Sequence, residues 1–435
     1  MSLEALKRRA YDMTIVEEAG EAVAYDYNNN LVERHTDHDV VIQAAFDNLR
    51  SGGAAPVLKN RSVIMRGDFD NMTATVTFPS QLMVNAYGAY FELNHNDDMF
   101  EGDQVGSSLA NESVQWFGGE YDGNTASTTA GSAFRVASDD CDFVDLKIIR
   151  FDDYAFHAEV FSGAIGEKTI ATRWRDCWFG FTNELTGSND GGLFFDETGT
   201  SGAADCLVDR CYFVNNTDFN IAGNYVNWLR VTNSWFVGDT AANTTIGIDL
   251  GGSSQRNIIG PGNIFENQDR EAIRITNGGS GEFSNDNKII WNEFIDNCKA
   301  ADNTYDSILI QSNAGGGAVQ SGRIIGNLFT DEEGANDPRY HVHLDDADTT
   351  NWIVKWNTFK SGSAATANIL ADSDVNLIED NQGNVAWYQS QAGGAWTDPT
   401  GVAANGTTVE VYNSNLVEYR TYRYLNGAWR YVALT

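Results

Sequence analysis

At 435 residues, 42% of them hydrophobic and 12% aromatic, the chain is long enough for a large core and unlike a disordered polymer. Its formal net charge of −33, spread along the whole length, argues against a nucleic-acid partner, because phosphate binding needs a basic stripe. No apolar run approaches the roughly 18 residues of a membrane-spanning helix, so membrane insertion is not expected.

Residues 1–35 read as a segment separate from the rest of the chain: a short basic start from Met1 to Ala10, then Glu17-Glu18 and a loop from Tyr25 to Asn30. The start has no apolar stretch after its charges, so no secretory signal is expected, and the segment serves as an attachment arm or a frayed terminus. Residues 36–50 carry a Thr36 or Asp37 cap, apolar residues at helical spacing and a stop at Gly52-Gly53, and predict the one convincing helix. Strand candidates come next at Ser62–Ile64 and Ala74–Phe78.

From there the chain repeats itself. Ile258-Ile259 with Asn263-Ile264-Phe265, Ile289-Ile290 with Asn292-Glu293-Phe294, Ile324-Ile325 with Asn327-Leu328-Phe329, and Ile353-Val354 with Asn357-Thr358-Phe359 are one phrase returning about every 30 residues. Upstream, Cys141-Asp142-Phe143, Cys177-Trp178-Phe179, Cys211-Tyr212-Phe213 and Ser234-Trp235-Phe236 occupy the same phrase, so one column runs Cys, Cys, Cys, Ser and then Asn four times. Short β-branched and aromatic runs broken by Gly, Asn, Asp and Ser, without helices between them, predict a parallel β-helix whose coils stack at about 4.8 Å. About nine or ten coils from Trp116 to Asn381 make a rod near 45 Å. In such a stack the asparagines form amide ladders and the cysteines fill the same column as buried free thiols. A propeller would need blades of about 40 to 45 residues and a Trp-Asp signature, and neither is found.

Residues 385–435 lack the phrase and are dense in aromatics. Asn426-Gly427 between alternating runs predicts a hairpin, and with it a small antiparallel β module. The three expected parts are therefore an arm at 1–35, an all-β solenoid at 36–384 with its capping helix at 36–50, and the terminal module.

The order of capping helix, Gly52-Gly53, Ser62–Ile64, the strand at Ala74–Phe78 and aromatic coils resembles the right-handed parallel β-helices of the pectate-lyase-like superfamily, viral tailspikes and fibres in particular. The resemblance implies a homotrimeric virion surface protein. It would hold other virion proteins through its arm and meet a host-cell glycan or glycoprotein. A depolymerase acting on that glycan and a purely architectural decoration protein are the alternatives. The family's catalytic segments do not transfer: the Arg-x-Pro-x-x-Arg of pectate lyases is absent, and of the polygalacturonase set only isolated Asp-Asp pairs occur.

Paired acids at strand ends, Asp152-Asp153 and Asp196-Glu197, are the catalytic candidates, since a glycosidase needs two carboxylates about 5 to 9.5 Å apart; solvated turns are the plain alternative. In Arg339–Asp346, alternation places His341, His343 and Asp345 on one face, a set suited to a divalent cation or to sugar hydroxyls, with Val342 and Leu344 in the core. A polar outer face or a subunit facet accounts equally for these three; no other cofactor is expected. Trp387, Tyr388, Trp396 and Trp429 form a sugar-stacking platform, a subunit interface or the core of the terminal module.

The acid excess, with Arg well above Lys and Asp above Glu, fits a protein from a halophilic, haloarchaeal setting, where molar salt cuts the Debye length to about 3 Å and screens self-repulsion. Dialysis from molar salt into dilute buffer is therefore expected to lower the melting temperature; an unchanged melting curve contradicts this reading.

Overall fold

The computed structural model describes residues 11–51, 61–103, 111–124, 127–159, 169–182, 191–196, 202–238, 245–277, 281–302, 304–313, 317–331, 337–360, 367–373, 376–382, 387–391, 408–413, 418–425 and 428–431. They form an all-β parallel β-helix with one helix, in two compact units, Met1–Thr217 and Asp218–Thr435.

In the first unit each coil contributes one short strand to each of three parallel sheets. One sheet stacks Leu82–Asn85, Gln115–Phe117, Asp142–Val144, Arg173–Arg175 and Leu207–Asp209. The next stacks Ala89–Leu93, Glu120–Asp122, Lys147–Ile149, Trp178–Gly180 and Tyr212–Val214. The third stacks Val76–Phe78, Phe100–Gly102, Phe134–Val136, Tyr154–Ala158 and Gly191–Phe195. In the first two sheets the three-residue strands bury chiefly their middle side chain, which is why the core is a pile of single large residues such as Trp116, Phe143 and Trp174.

Residues 13–35 are part of this unit rather than a separate arm. Met13–Glu18, Glu21–Asp26 and Leu31–His35 form an antiparallel meander, and the first of them pairs in parallel with Arg61–Met72. Met13, Ile15, Val16, Val23 and Ala24 are buried, so these strands hide apolar surface that a free arm would leave wet. The helix His38–Ser51 buries Val41, Ile42, Ala45 and Phe46, with the Phe46 ring 6.4 Å from that of Trp116. The Gln43 side chain accepts from the Thr77 amide at 2.8 Å and donates to the Thr77 carbonyl at 3.2 Å. The helix thereby occupies hydrogen-bonding groups of a strand edge that would otherwise invite another chain.

Each coil turns two similar corners, and both use one device: a residue with positive φ followed by a buried ladder residue. In the second unit, Trp291, Gly326, Trp356 and Asp380 hold φ between 53° and 71°. The asparagines after them are joined through the coils: the Asn292, Asn327 and Asn357 amides donate to the Oδ1 of Asn327, Asn357 and Asn381, each at 2.9 Å. Their Nδ2 groups reach back to Ile259, Ile289 and Ile324 carbonyls at 3.0 Å. Phe236, Phe265, Phe294, Phe329 and Phe359 stack beside them with centroids 4.6–5.1 Å apart. One extra residue in the Gly260–Gly262 turn breaks the register above Asn292, whose Oδ1 has no hydrogen-bond partner.

The second corner carries a ladder of its own. Asn257 donates its amide to Asn287 Oδ1 at 3.0 Å, and Leu229 donates to Asn257 Oδ1 at 2.9 Å. At the level of Trp352 the indole N–H takes the Val319 carbonyl at 3.1 Å, and only a glycine fits beside it, since a Cβ on Gly322 would lie 2.3 Å from the ring.

This two-corner geometry corrects the single column expected from sequence. Phe143 pairs with Trp174 in the first sheet, whereas Phe179 pairs with Ile148 in the second, so Cys141 and Cys177 stand at different corners. Cys177 and Cys211 donate to the Phe143 and Trp174 carbonyls at 3.4 Å, as the asparagines do, while Cys141 bonds the Asn111 carbonyl at 3.1 Å. All five cysteines are buried free thiols, and burial pushes Cys141 and Cys206 up to about 12.

At the far end, Trp387–Gln391 and Thr408–Asn413 continue the parallel sheet from Ala367–Ala371 before the pairing turns antiparallel through Glu418–Leu425 and Ala428–Tyr431. The parallel pairing thus runs past the boundary expected at 384. Leu425 pairs with Ala428, and the expected turn residues Asn426 and Gly427 lie outside the described residues.

Replacing Asn327 by Ala strands the buried Asn292 amide and the Ile289 carbonyl. The expected loss is about 3 kcal/mol in urea unfolding, against under about 0.5 kcal/mol for the exposed Lys360→Ala.

Candidate functional site

In the third sheet of the first unit, polar residues stand in the middle of strands that are otherwise apolar. Register places Glu101, Arg135, His157 and Phe194 in one outward column, beside the buried column of Phe100, Phe134, Phe156 and Leu193. The loops before these strands bring Asp97, Asp98 and Asp153 to the same place. Together with Tyr154 they line a cleft of about 340 Å³.

Its charges are held from beneath. Asp98 Oδ1 accepts the Ser132 amide at 2.8 Å and Asp153 Oδ2 the Gly131 amide at 2.8 Å. Gly131 is required there: its φ is +111°, and a Cβ would meet the Asp97 carbonyl at 2.1 Å. Arg135 is tied to Glu159 and lies 4.0 Å from Asp98 and 3.9 Å from Glu101. Burial pushes the Asp98 carboxyl above its ordinary range, against the Ser132 amide and the Arg135 charge, and burial likewise raises Glu101. The Tyr154 ring stacks on Phe194 at 4.5 Å, with the His157 ring 5.1 Å from Tyr154. His157 Nε2 stands 3.5 Å from Asp196.

The acid pair Asp152-Asp153 is split by its turn. Asp153 lines the cleft, but Asp152 turns away, accepting from Thr128 at 2.9 Å, with a carboxyl that burial raises. Asp196 sits at the His157 end, and Glu197 and Trp396 lie outside the described residues. Trp387, Tyr388 and Trp429 are on the terminal strands Trp387–Gln391 and Ala428–Tyr431. Sequence reasoning misses Asp98, Arg135, Tyr154 and His157. For Arg135 and His157 the signal is a lone polar residue inside Phe134-Arg135-Val136 and Phe156-His157-Ala158, visible only once the coils are aligned.

In the second unit, strand Tyr340–Asp345 departs from strict alternation. His341 and Val342 are both buried, and the His341 ring lies 5.2 Å from Phe329 and 5.5 Å from Phe359. His341 therefore belongs to the aromatic stack and leaves the expected metal set; burial lowers its pKa to about 3. His343 turns the other way, with Nδ1 2.8 Å from Asp306, which Arg339 grips through two bonds of 3.0 and 2.7 Å. Val342 and Leu344 are fully buried.

A second buried acid, Asp331, is raised to about 7 by burial and then by neighbouring Asp337. Because its folded value lies above the ordinary 3.8, its contribution to stability is complete below that value and is lost as pH rises through about 7. Asp331→Asn should thus gain melting temperature over the native chain as pH is raised from 4 to 8, with no gain at pH 4. A constant offset across that range contradicts the assignment.

No protein-family model and no curated protein sequence matches the chain. Solved structures do. The A-module of mannuronan C-5 epimerase AlgE4 from Azotobacter vinelandii superposes with a TM-score of 0.56 at 12% identity, covering 84% of this chain and 96% of that one. ORF18 of Geobacillus virus E2 gives 0.55 at 13% identity over 96% and 83%. PfbA, a surface adhesin of Streptococcus pneumoniae, gives 0.52 at 11% identity over 92% and 95%. At these identities the likeness establishes the parallel β-helix fold and nothing finer.

Proposed function

We propose that this chain is a surface attachment protein that binds glycan on the flank of its first unit. The observation that carries the reading is the stacked Tyr154–Phe194 pair beside a cleft lined by Asp97, Asp98 and Asp153. A sugar ring offers an apolar face for an aromatic side chain and hydroxyls for carboxylates, and this lining supplies both. The fold it shares with a pneumococcal adhesin and a viral protein supports placement on a cell or particle surface. A virion of a halophilic host is the setting most consistent with the acidic composition, and a trimer the expected assembly. Because Glu159 engages the one arginine of the cleft, the acids remain in excess, which favours a neutral or amino sugar over a polyuronate.

One observation favours a second reading. Burial favours the protonated form of Asp98, and Asp153 lines the same cleft, so the two are the candidate acid pair of a glycosidase.

Binding of host-surface polysaccharide to the intact chain should weaken at least about tenfold in Tyr154→Ala, as expected for loss of an aromatic anchor. Equal binding by the variant refutes the site. New reducing ends that vanish in Asp98→Asn would install the enzymatic reading in place of simple attachment.

A further inference from the structure

The His343 neighbourhood has a part that glycan attachment leaves unused. Since the Asp306 carboxylate, gripped by Arg339, offers only acceptor oxygens, the 2.8 Å contact between His343 Nδ1 and Asp306 is an N–H donated to a carboxylate. That leaves Nε2 as the ring nitrogen open to a ligand. His343 is only 5% exposed, and Nε2 is buried without a hydrogen-bond partner. It faces carboxylates: Asp345 Oδ1 is 3.8 Å away, and one ligand atom each of His343, Asp345 and Asp372 lies within 4.8 Å of the other two. Two carboxylates gathered at a buried, unpartnered ring nitrogen call for positive charge between them.

We infer that His343, Asp345 and Asp372 form a binding site for a divalent transition metal, zinc in the first place, with Asp306 and Arg339 orienting the imidazole. Zinc ligands sit at about 2.0–2.2 Å, which sets pairs of donors about 3.5 Å apart in a tetrahedron. Metal binding at this site requires the ligand atoms to close from at most 4.8 Å to that spacing. The carboxylate–histidine–metal relay is the usual means of fixing a ligand's tautomer, and here the relay is already built and anchored by an arginine fork. One imidazole with two carboxylates suits zinc better than calcium, which takes six to eight oxygens. Asp345 is 29% exposed, so the remaining position opens to water. The neighbouring parts hold the site at fixed geometry: Gln311 donates to Asp345 Oδ2 at 2.6 Å, and the Asp346 amide donates to Asp372 at 3.3 Å.

The test is titration of the metal-free full-length chain with zinc chloride in high salt, read by competition with a chromophoric chelator and by melting temperature. One zinc per chain is expected, with a higher melting temperature in its presence. Asp345→Asn and Asp372→Asn should each weaken binding at least about tenfold and lose the zinc-induced rise. Asp306→Asn should weaken it about 10- to 100-fold through the misdirected imidazole. The two partly exposed carboxylates repel one another, so their asparagine variants should fold and, without metal, melt no lower than the native chain. Zinc bound equally by the native chain and both variants overturns the assignment, as does calcium competing on equal terms or the absence of any zinc-induced change.

Discussion

Each coil of this protein must turn corners between sheets, and every corner leaves a backbone N–H and a carbonyl that no strand can satisfy. A buried unpaired group of this kind costs about 1–3 kcal/mol, so a solenoid with two such corners per coil cannot stand without an answer to them. The answer is a side chain that accepts from the amide of one coil and donates to the carbonyl of the same coil: Asn327 Oδ1 takes the Asn292 amide while Asn327 Nδ2 takes the Ile289 carbonyl. The residue before it must then hold a positive φ, which is why Trp291 and Trp356 stand exposed at corners where glycine or aspartate would be easier. Phenylalanine stacking comes from the same register, because once the corners are fixed Phe265, Phe294 and Phe329 fall one above another.

The ladder is legible in sequence because an amide at a buried corner is demanded by chemistry, and a demanded residue repeats. The number of corners is not legible. Cys141-Asp142-Phe143 and Cys177-Trp178-Phe179 look alike because both corners obey the same rule, and only the pairing of Phe143 with Trp174 separates them. Trp352 hides for the opposite reason: it meets the same carbonyl with an indole N–H, and the substitution needs Gly322 beneath it, a coupling no single position reveals. The meander at residues 13–35 reads as an arm because its strands are flanked by acids, although their inner faces are apolar.

The candidate sites are legible in part for a related reason. Alternation correctly sets His343 and Asp345 apart from Val342 and Leu344, yet fails at His341, where two successive side chains turn inward and the imidazole meets Phe329. Asp372, the third member of that group, comes from the next coil, 29 positions beyond His343, so no local pattern contains it. The cleft at Asp98 and Asp153 likewise gathers residues from neighbouring coils. Solenoid sites are assembled across the stack, and a reading along the chain finds their members only one at a time.

Scaffold and candidate sites thus divide along one line: where a corner repeats, side chains serve the backbone, and where loops depart from the repeat, they are free of that duty. Amide hydrogen exchange tests that division most directly. The Asn292, Asn327 and Asn357 amides, though they lie in turns, should exchange as slowly as those of the Glu293–Ile295 and Leu328–Thr330 strands. Exchange as fast as that of the exposed Ala347 amide would show that the ladders do not carry the stack.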